Sequence, residues 1–180
     1  MSSVQQRIFI GLGSNLGDSA ETLLQAWALL GEEEGIECVR LSDPYMTAPV
    51  DMHSQHWFTN CVGELRTTHP PHRLLAKLLA VETALGRVRG EGAFGYEDRP
   101  IDLDLIYYGE VELDEPDLDL PHPHLYNRLF VLTPLCEIAP EFIDIKYHVP
   151  VSELETRLLA KIEQGLERKQ LISRNSWDSA

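Results

Sequence analysis

Two aspartates interrupt an otherwise apolar stretch, RPIDLDLIYYG, at residues 99–109. Read as a strand, its side chains alternate, so Asp102 and Asp104 share one face and Ile101, Leu103 and Leu105 take the other. Two carboxylates side by side cost repulsion and desolvation unless a cation neutralises them. Hard divalent cations take oxygen ligands, and magnesium typically uses one or two carboxylates together with substrate phosphates. The competing reading is a solvent-facing strand with two incidental aspartates, which a chain this acidic accommodates easily.

The neighbouring residues extend the first reading. The preceding segment, GRVRGEGAFGYEDR, spaces glycines at 86, 90, 92 and 95 among Arg87, Arg89 and Arg99. A glycine-rich loop carrying arginines suits a cover for polyphosphate, because guanidinium groups grip phosphate oxygens bidentately. The plainer alternative is a surface loop whose arginines pair with Glu91, Glu97 and Asp98. Downstream, His122 and Arg128 add two candidate phosphate contacts. Phe58 and Asn60 fall on one face of another strand, and Phe130 offers a second aromatic surface; an aromatic and an amide can stack and edge-bond a flat heterocycle. Core packing is the alternative for both phenylalanines. Near the start, GLGSNLGD follows a strand and opens a helix, yet Gly11, Gly13 and Gly17 give G-x-G-x-x-x-G, not the dinucleotide fingerprint, and no P-loop lysine follows. A tight strand-to-helix turn, with Asn15 hydrogen-bonding the loop, is the expected role.

The elements that must position these groups follow from pattern. Arg7–Gly11 reads as a first strand. Asp18 is the expected N-cap of a helix reaching about Gly31, with Glu21 as its capping-box partner and Leu23, Trp27 and Leu30 at helical spacing. A second strand is expected over about 36–45 and a third over 57–66. Pro70 and Pro71 open a second helix with Leu74, Leu75, Leu78, Val81 and Leu85 as its stripe and Gly86 as its stop. A loop over 87–99 leads into the aspartate-bearing strand. A turn-rich acidic stretch follows, then a helical segment in which Pro134 starts or kinks a turn. The tail reads as an amphipathic helix over about 151–169, with Val151, Leu154, Leu158 and Ile162 on one side and Ser152/Glu155 as its cap. Neighbouring strands 36–45 and 57–66 interrupt any βαβ alternation, which favours an α+β layer: helices on a mostly antiparallel sheet.

Composition bounds the answer. The chain of 180 residues is 43% hydrophobic and 24% charged, as expected of one globular domain spanning 1–180. Acidic residues outnumber basic ones 29 to 15, for a formal charge of −14, which argues against a nucleic-acid partner. No apolar run approaches a membrane span and no secretory leader is visible. Cys38, Cys61 and Cys136 are odd in number and widely spaced, as expected of free thiols in the cytoplasm.

Several stretches together resemble the 6-hydroxymethyl-7,8-dihydropterin pyrophosphokinase family of folate biosynthesis. In order they are IGLGSNLGD, YMTAP at 45–49, FTN at 58–60, Glu82 before GRVR at 86–89, RPIDLDLIYYG, and PHPHLYNRLFVLTPLCEIAPEF at 121–142. They cover about residues 7–142. The resemblance implies a ferredoxin-like α+β fold and a transferase, an ATP-dependent diphosphotransferase that moves pyrophosphate to the pterin hydroxymethyl group and releases AMP. It implies two Mg²⁺ ions on Asp102 and Asp104, and pterin contacts from Thr47, Phe58, Asn60 and Phe130. It places Glu82, Arg87, Arg89, Arg99, His122 and Arg128 near or on ATP, with Arg89 and Arg99 joining the two aspartates in catalysis. Departures from the family pattern are Gly90 after the second loop arginine, Phe94 or Tyr96 in place of a loop tryptophan, Phe58 where tyrosine is common, and Pro123 after the histidine. A monofunctional cytoplasmic monomer is expected. The competing class is a non-catalytic ferredoxin-like domain that senses a ligand or binds a partner, which would need no metal pair; a nicotinamide enzyme is a third, weakened by the failed fingerprint.

Overall fold

The computed structural model describes residues 6–49, 56–88 and 98–179. Its first half alternates β1 (Ile8–Ser14), α1 (Ser19–Glu32), β2 (Ile36–Leu41), β3 (Tyr45–Thr47), β4 (Phe58–Thr67), α2 (Pro71–Ala84) and β5 (Asp102–Tyr108). These pair antiparallel in the order β5-β1-β4-β3, with β2 also on β4. This is the ferredoxin-like α+β arrangement. The single expected strand over 36–45 is two, parted where the Ser42 side chain turns back to accept from Val62 N–H at 3.0 Å.

Capping and packing set the first helix. Asp18 accepts from Glu21 N–H at 3.1 Å, while the Glu21 carboxylate accepts from Gln25 instead of closing the capping box. Ile8, Ile10 and Leu12 of β1 and Leu103 and Leu105 of β5 point to one side of the sheet. There they meet Leu23 and Leu30 of α1 and Leu74 and Leu78 of α2. The helix–sheet approach is close at Gly63, where a Cβ would lie 2.3 Å from the Trp27 ring, so only glycine fits beneath that indole.

The other sheet face carries a second core. Phe9, Val62, Ile106 and Tyr107 are covered there by α3 (Leu129–Ile138) and α4 (Val151–Glu163). Pro134 sits inside α3. The tail helix packs on the domain through buried Val151, Leu154 and Leu158, but Pro150 precedes it and no side chain caps it, so the expected Ser152/Glu155 cap does not form. Two features lie outside the sequence reading. The acidic stretch folds as a hairpin, β6 (Leu113–Glu115) and β7 (Leu118–Leu120), and β8 (Ile172–Arg174) adds an outer strand to β3. The three cysteines are free, and burial pushes the Cys38 thiol up to about 11. Among the described residues no helix is long and apolar enough to cross a membrane.

Candidate active site

Helices α3 and α4 cover only one end of the second sheet face. At the other end the residues facing out are Gly11 and Gly13 of β1, Phe58 and Asn60 of β4, Thr47 of β3 and the two aspartates of β5, and they line an open cleft. Register makes this legible. Gly13 pairs with both Asn60 and Asp102, and Gly11 pairs with Asp104, so cross-strand partners share this face. A Cβ on Gly13 would come within 2.7 Å of the Asn60 side-chain oxygen. Gly11 and Gly13 are therefore part of the cleft floor, and at Gly13 a side chain would collide with Asn60. The expected strand-to-helix turn falls at Gly17, whose φ is 65°, whereas Gly13 lies within β1, beyond the expected strand end at Gly11; the visible signal was glycine at alternate positions of a strand whose intervening residues are apolar.

A bulge completes the placement of β5. Phe9 pairs with Tyr107 and Ile10 with Leu105, leaving Ile106 as an extra residue. Asp102 and Asp104 consequently face the cleft while Tyr107, an odd-numbered neighbour, still enters the second core. Arg99 and Arg128 line the same cleft with Phe130, whose ring lies 5.4 Å from the Arg128 guanidinium carbon. Asn15 ties the approach to β5: its side chain donates to Asp98 at 2.6 Å and accepts from Arg99 N–H at 2.8 Å. That loop role was expected of Asn15.

The carboxylates are electrostatically unequal. Asp102 accepts from Arg87 at 2.5 Å and from Arg99 at 3.1 Å, one guanidinium on each oxygen. For Asp104, burial first and the Asp102 charge second push the pKa up to about 7, against the opposing pull of Arg128 and Arg99. Two carboxylates on one face, one of them raised by burial and by its neighbour's charge, fit a hard divalent cation. The sign for stability follows. The folded carboxyl holds a proton that the unfolded chain has released, so metal-free stability falls as pH rises from about 4 to about 7. Asp104→Asn should remove that loss, leaving the metal-free variant more stable than wild type in a thermal melt at pH 8. A variant that melts lower there would contradict the assignment.

Not every expected residue lies on the cleft. Glu82 is 1% exposed and sits beneath it, where one carboxylate oxygen accepts from Leu103 N–H and from Arg87, both at 2.7 Å. The structure thus makes Glu82 a buried support of β5 that does not line the cleft. Arg87 does not line the cleft; it bridges Glu82 and Asp102. His122 is also outside the lining, held by its N–H to Ile106 carbonyl at 3.0 Å. Burial, then Arg128 and His124, push its pKa down to about 4, so the ring is neutral. Its Nδ1 accepts from His124 N–H at 3.2 Å, which leaves the ring proton on Nε2. Arg89, with Gly90, Phe94 and Tyr96, lies outside the described residues.

The cleft also has partners by likeness. Residues 9–140 match the profile of the family described as 7,8-dihydro-6-hydroxymethylpterin-pyrophosphokinase. The chain is 40% identical over 163 residues to the 2-amino-4-hydroxy-6-hydroxymethyldihydropteridine pyrophosphokinase of Methylorubrum extorquens, covering 90% of this chain and 98% of that one. Its identity to the protein of the same name from Bacillus subtilis is 38% over 133 residues, covering 74% of this chain and 78% of that one. Among solved structures it resembles Plasmodium falciparum HPPK-DHPS, with a TM-score of 0.69 at 12% identity over 89% of this chain. It spans 46% of that longer chain, and the likeness is one of fold.

Proposed function

The chain belongs to the 7,8-dihydro-6-hydroxymethylpterin-pyrophosphokinase family, and from that premise we propose how its cleft performs pyrophosphoryl transfer from ATP to 6-hydroxymethyl-7,8-dihydropterin, releasing AMP. The observation that carries the reading is convergence. Thr47, Phe58, Asn60 and Phe130 come from three elements to the same cleft as Asp102, Asp104, Arg99 and Arg128.

The pterin lies between the Phe58 and Phe130 rings, with its polar edge toward Asn60 and Thr47. Asn60 donates from Nδ2 to the Thr47 hydroxyl at 2.8 Å, which fixes the amide orientation and leaves the Thr47 proton and the Asn60 oxygen for the ligand. Asp102 and Asp104 would hold two Mg²⁺ ions, which would supply positive charge to the ATP phosphates. Arg99 and Arg128 add fixed positive charge on the facing wall. Arg87 orients Asp102, and Glu82 orients both Arg87 and the strand. The pterin hydroxyl attacks the β-phosphorus in line, the bond from that phosphorus to the α-phosphate oxygen breaks, AMP leaves with that electron pair, and the hydroxyl proton passes to solvent water. Such a transfer asks positioning and charge of the protein and little covalent work. We further infer a single catalytic domain that acts as a cytoplasmic monomer.

A binding measurement tests the pterin side. By fluorescence titration, Asn60→Leu should weaken the hydroxymethylpterin at least about fivefold, since an unmatched polar edge costs about 1–3 kcal/mol. Wild-type affinity in that variant would remove Asn60 from the site. The competing reading, a sensor or partner-binding domain, finds no support in a paired carboxylate site flanked by arginines.

A further inference from the structure

Residues beyond the family profile, which ends at 140, reach back to both walls of the cleft. The contact begins at Gln170. Its side-chain oxygen accepts from Leu129 N–H at 2.9 Å, and its Nε2 donates to the Asn127 carbonyl at 2.8 Å. Those two groups flank Arg128, and Phe130 follows directly. Leu129 begins α3, and Arg128, at the cap position, makes no capping hydrogen bond of its own. Leu129 N–H is one of the orphan donors of a helix start. Gln170 satisfies it from forty-one residues away in sequence.

The next two residues hold the opposite wall. Leu171 carbonyl accepts from Ala48 N–H at 3.2 Å, and Ile172 pairs with Thr47 as β8 lies along β3. Strand β3 has only three residues, and β8 closes its outer edge. The following segment anchors the tail. Arg174 meets Asp43 and Glu137, Asn175 N–H donates to Pro44 carbonyl at 2.8 Å, and the Trp177 indole donates to Ser42 carbonyl at 3.1 Å. Within three consecutive residues, Gln170–Ile172, the tail thus touches the backbone that carries Phe130 and the backbone that carries Thr47.

We propose that the C-terminal segment 170–177 is a built-in brace of the pterin pocket, with Gln170 as a positioning residue that holds the Arg128–Phe130 turn in its binding geometry. The inference rests on the reading that Thr47, Phe58, Asn60 and Phe130 receive the pterin. A wall held in place before binding spares the ligand the cost of ordering it. Loss of a helix-capping acceptor is a change of about 1 kcal/mol, or about fivefold in an equilibrium constant.

The test is pterin affinity in the full chain, by fluorescence titration well below the melting temperature. Gln170→Ala should raise the dissociation constant about fivefold. Gln170→Met keeps the side-chain length but neither the acceptor for Leu129 N–H nor the donor to the Asn127 carbonyl, and should lose as much affinity as the alanine. Leu158→Ala, in the α4 core, should lower the melting temperature at least as much while leaving pterin affinity at the wild-type value. Wild-type affinity in Gln170→Ala, wild-type affinity in Gln170→Met, or equal loss in Leu158→Ala would each overturn the brace. Asn60→Leu is measured alongside. If it too binds like wild type, the pocket reading itself falls; if it loses affinity while Gln170→Ala does not, only the brace falls.

Discussion

Asp104→Asn should reduce turnover on the order of a thousandfold, an increase in barrier of about 4 kcal/mol. The substitution is nearly isosteric, so the loss would come from charge. Asp104 faces the cleft beside Asp102, across from Gly11, with burial already opposing its ionisation. An amide there cannot contribute the negative charge a divalent cation needs. Asp102→Asn should lose a comparable factor, and for a compound reason. Its two oxygens accept from Arg87 and Arg99, one each, so the amide loses the charge a metal ligand needs and also sets its NH2 against one of the two guanidiniums. Steady-state AMP formation at saturating ATP and pterin reads both. Pterin affinity in the absence of nucleotide should stay near wild type in Asp104→Asn, which separates lost chemistry from lost folding. Turnover within tenfold of wild type in either variant would refute the metal role.

Glu82→Leu should cost about 3–5 kcal/mol of folding stability, measured by chemical denaturation, because it breaks a buried ion pair from one side. Two groups lose their acceptor: Leu103 N–H, which lies between the two aspartates, and Arg87. Arg87 retains Asp102 and the Ile101 carbonyl at 3.3 Å, so the unpaired Leu103 N–H is the part of the cost without relief. Glu82→Gln keeps an oxygen for that donor and should cost less than half as much. Since Leu103 fixes the strand on which Asp102 and Asp104 stand, the Gln variant should also turn over more slowly than its binding of either substrate alone would suggest. If Leu and Gln prove equally stable, the hydrogen bond to Leu103 is not what Glu82 provides.

The acidic pair was legible because alternation is a local property: five residues suffice to put Asp102 and Asp104 on one face and Leu103 on the other. The Asp18 cap was legible for the same reason. Glu82 shows where residue type misleads. A glutamate near arginines suits a ligand contact and a buried support equally, and only its spacing separates them. It lies four residues after Leu78 and eight after Leu74, on the stripe of α2 that faces the sheet. Features made by pairing were not accessible in this way. β6, β7 and β8 have three residues each, too few for a period, and β8 becomes a strand only because β3 offers an open edge. The glycine floor likewise depends on knowing that Gly13 stands opposite both Asn60 and Asp102.

The measurement that bears most directly on the central claim is AMP formation by purified protein given ATP, Mg²⁺ and 6-hydroxymethyl-7,8-dihydropterin. AMP should appear in one-to-one ratio with the pterin pyrophosphate ester, and AMP release should be negligible when either the pterin or the magnesium is withheld. AMP release that does not depend on the pterin, or none with all three present, would contradict the account.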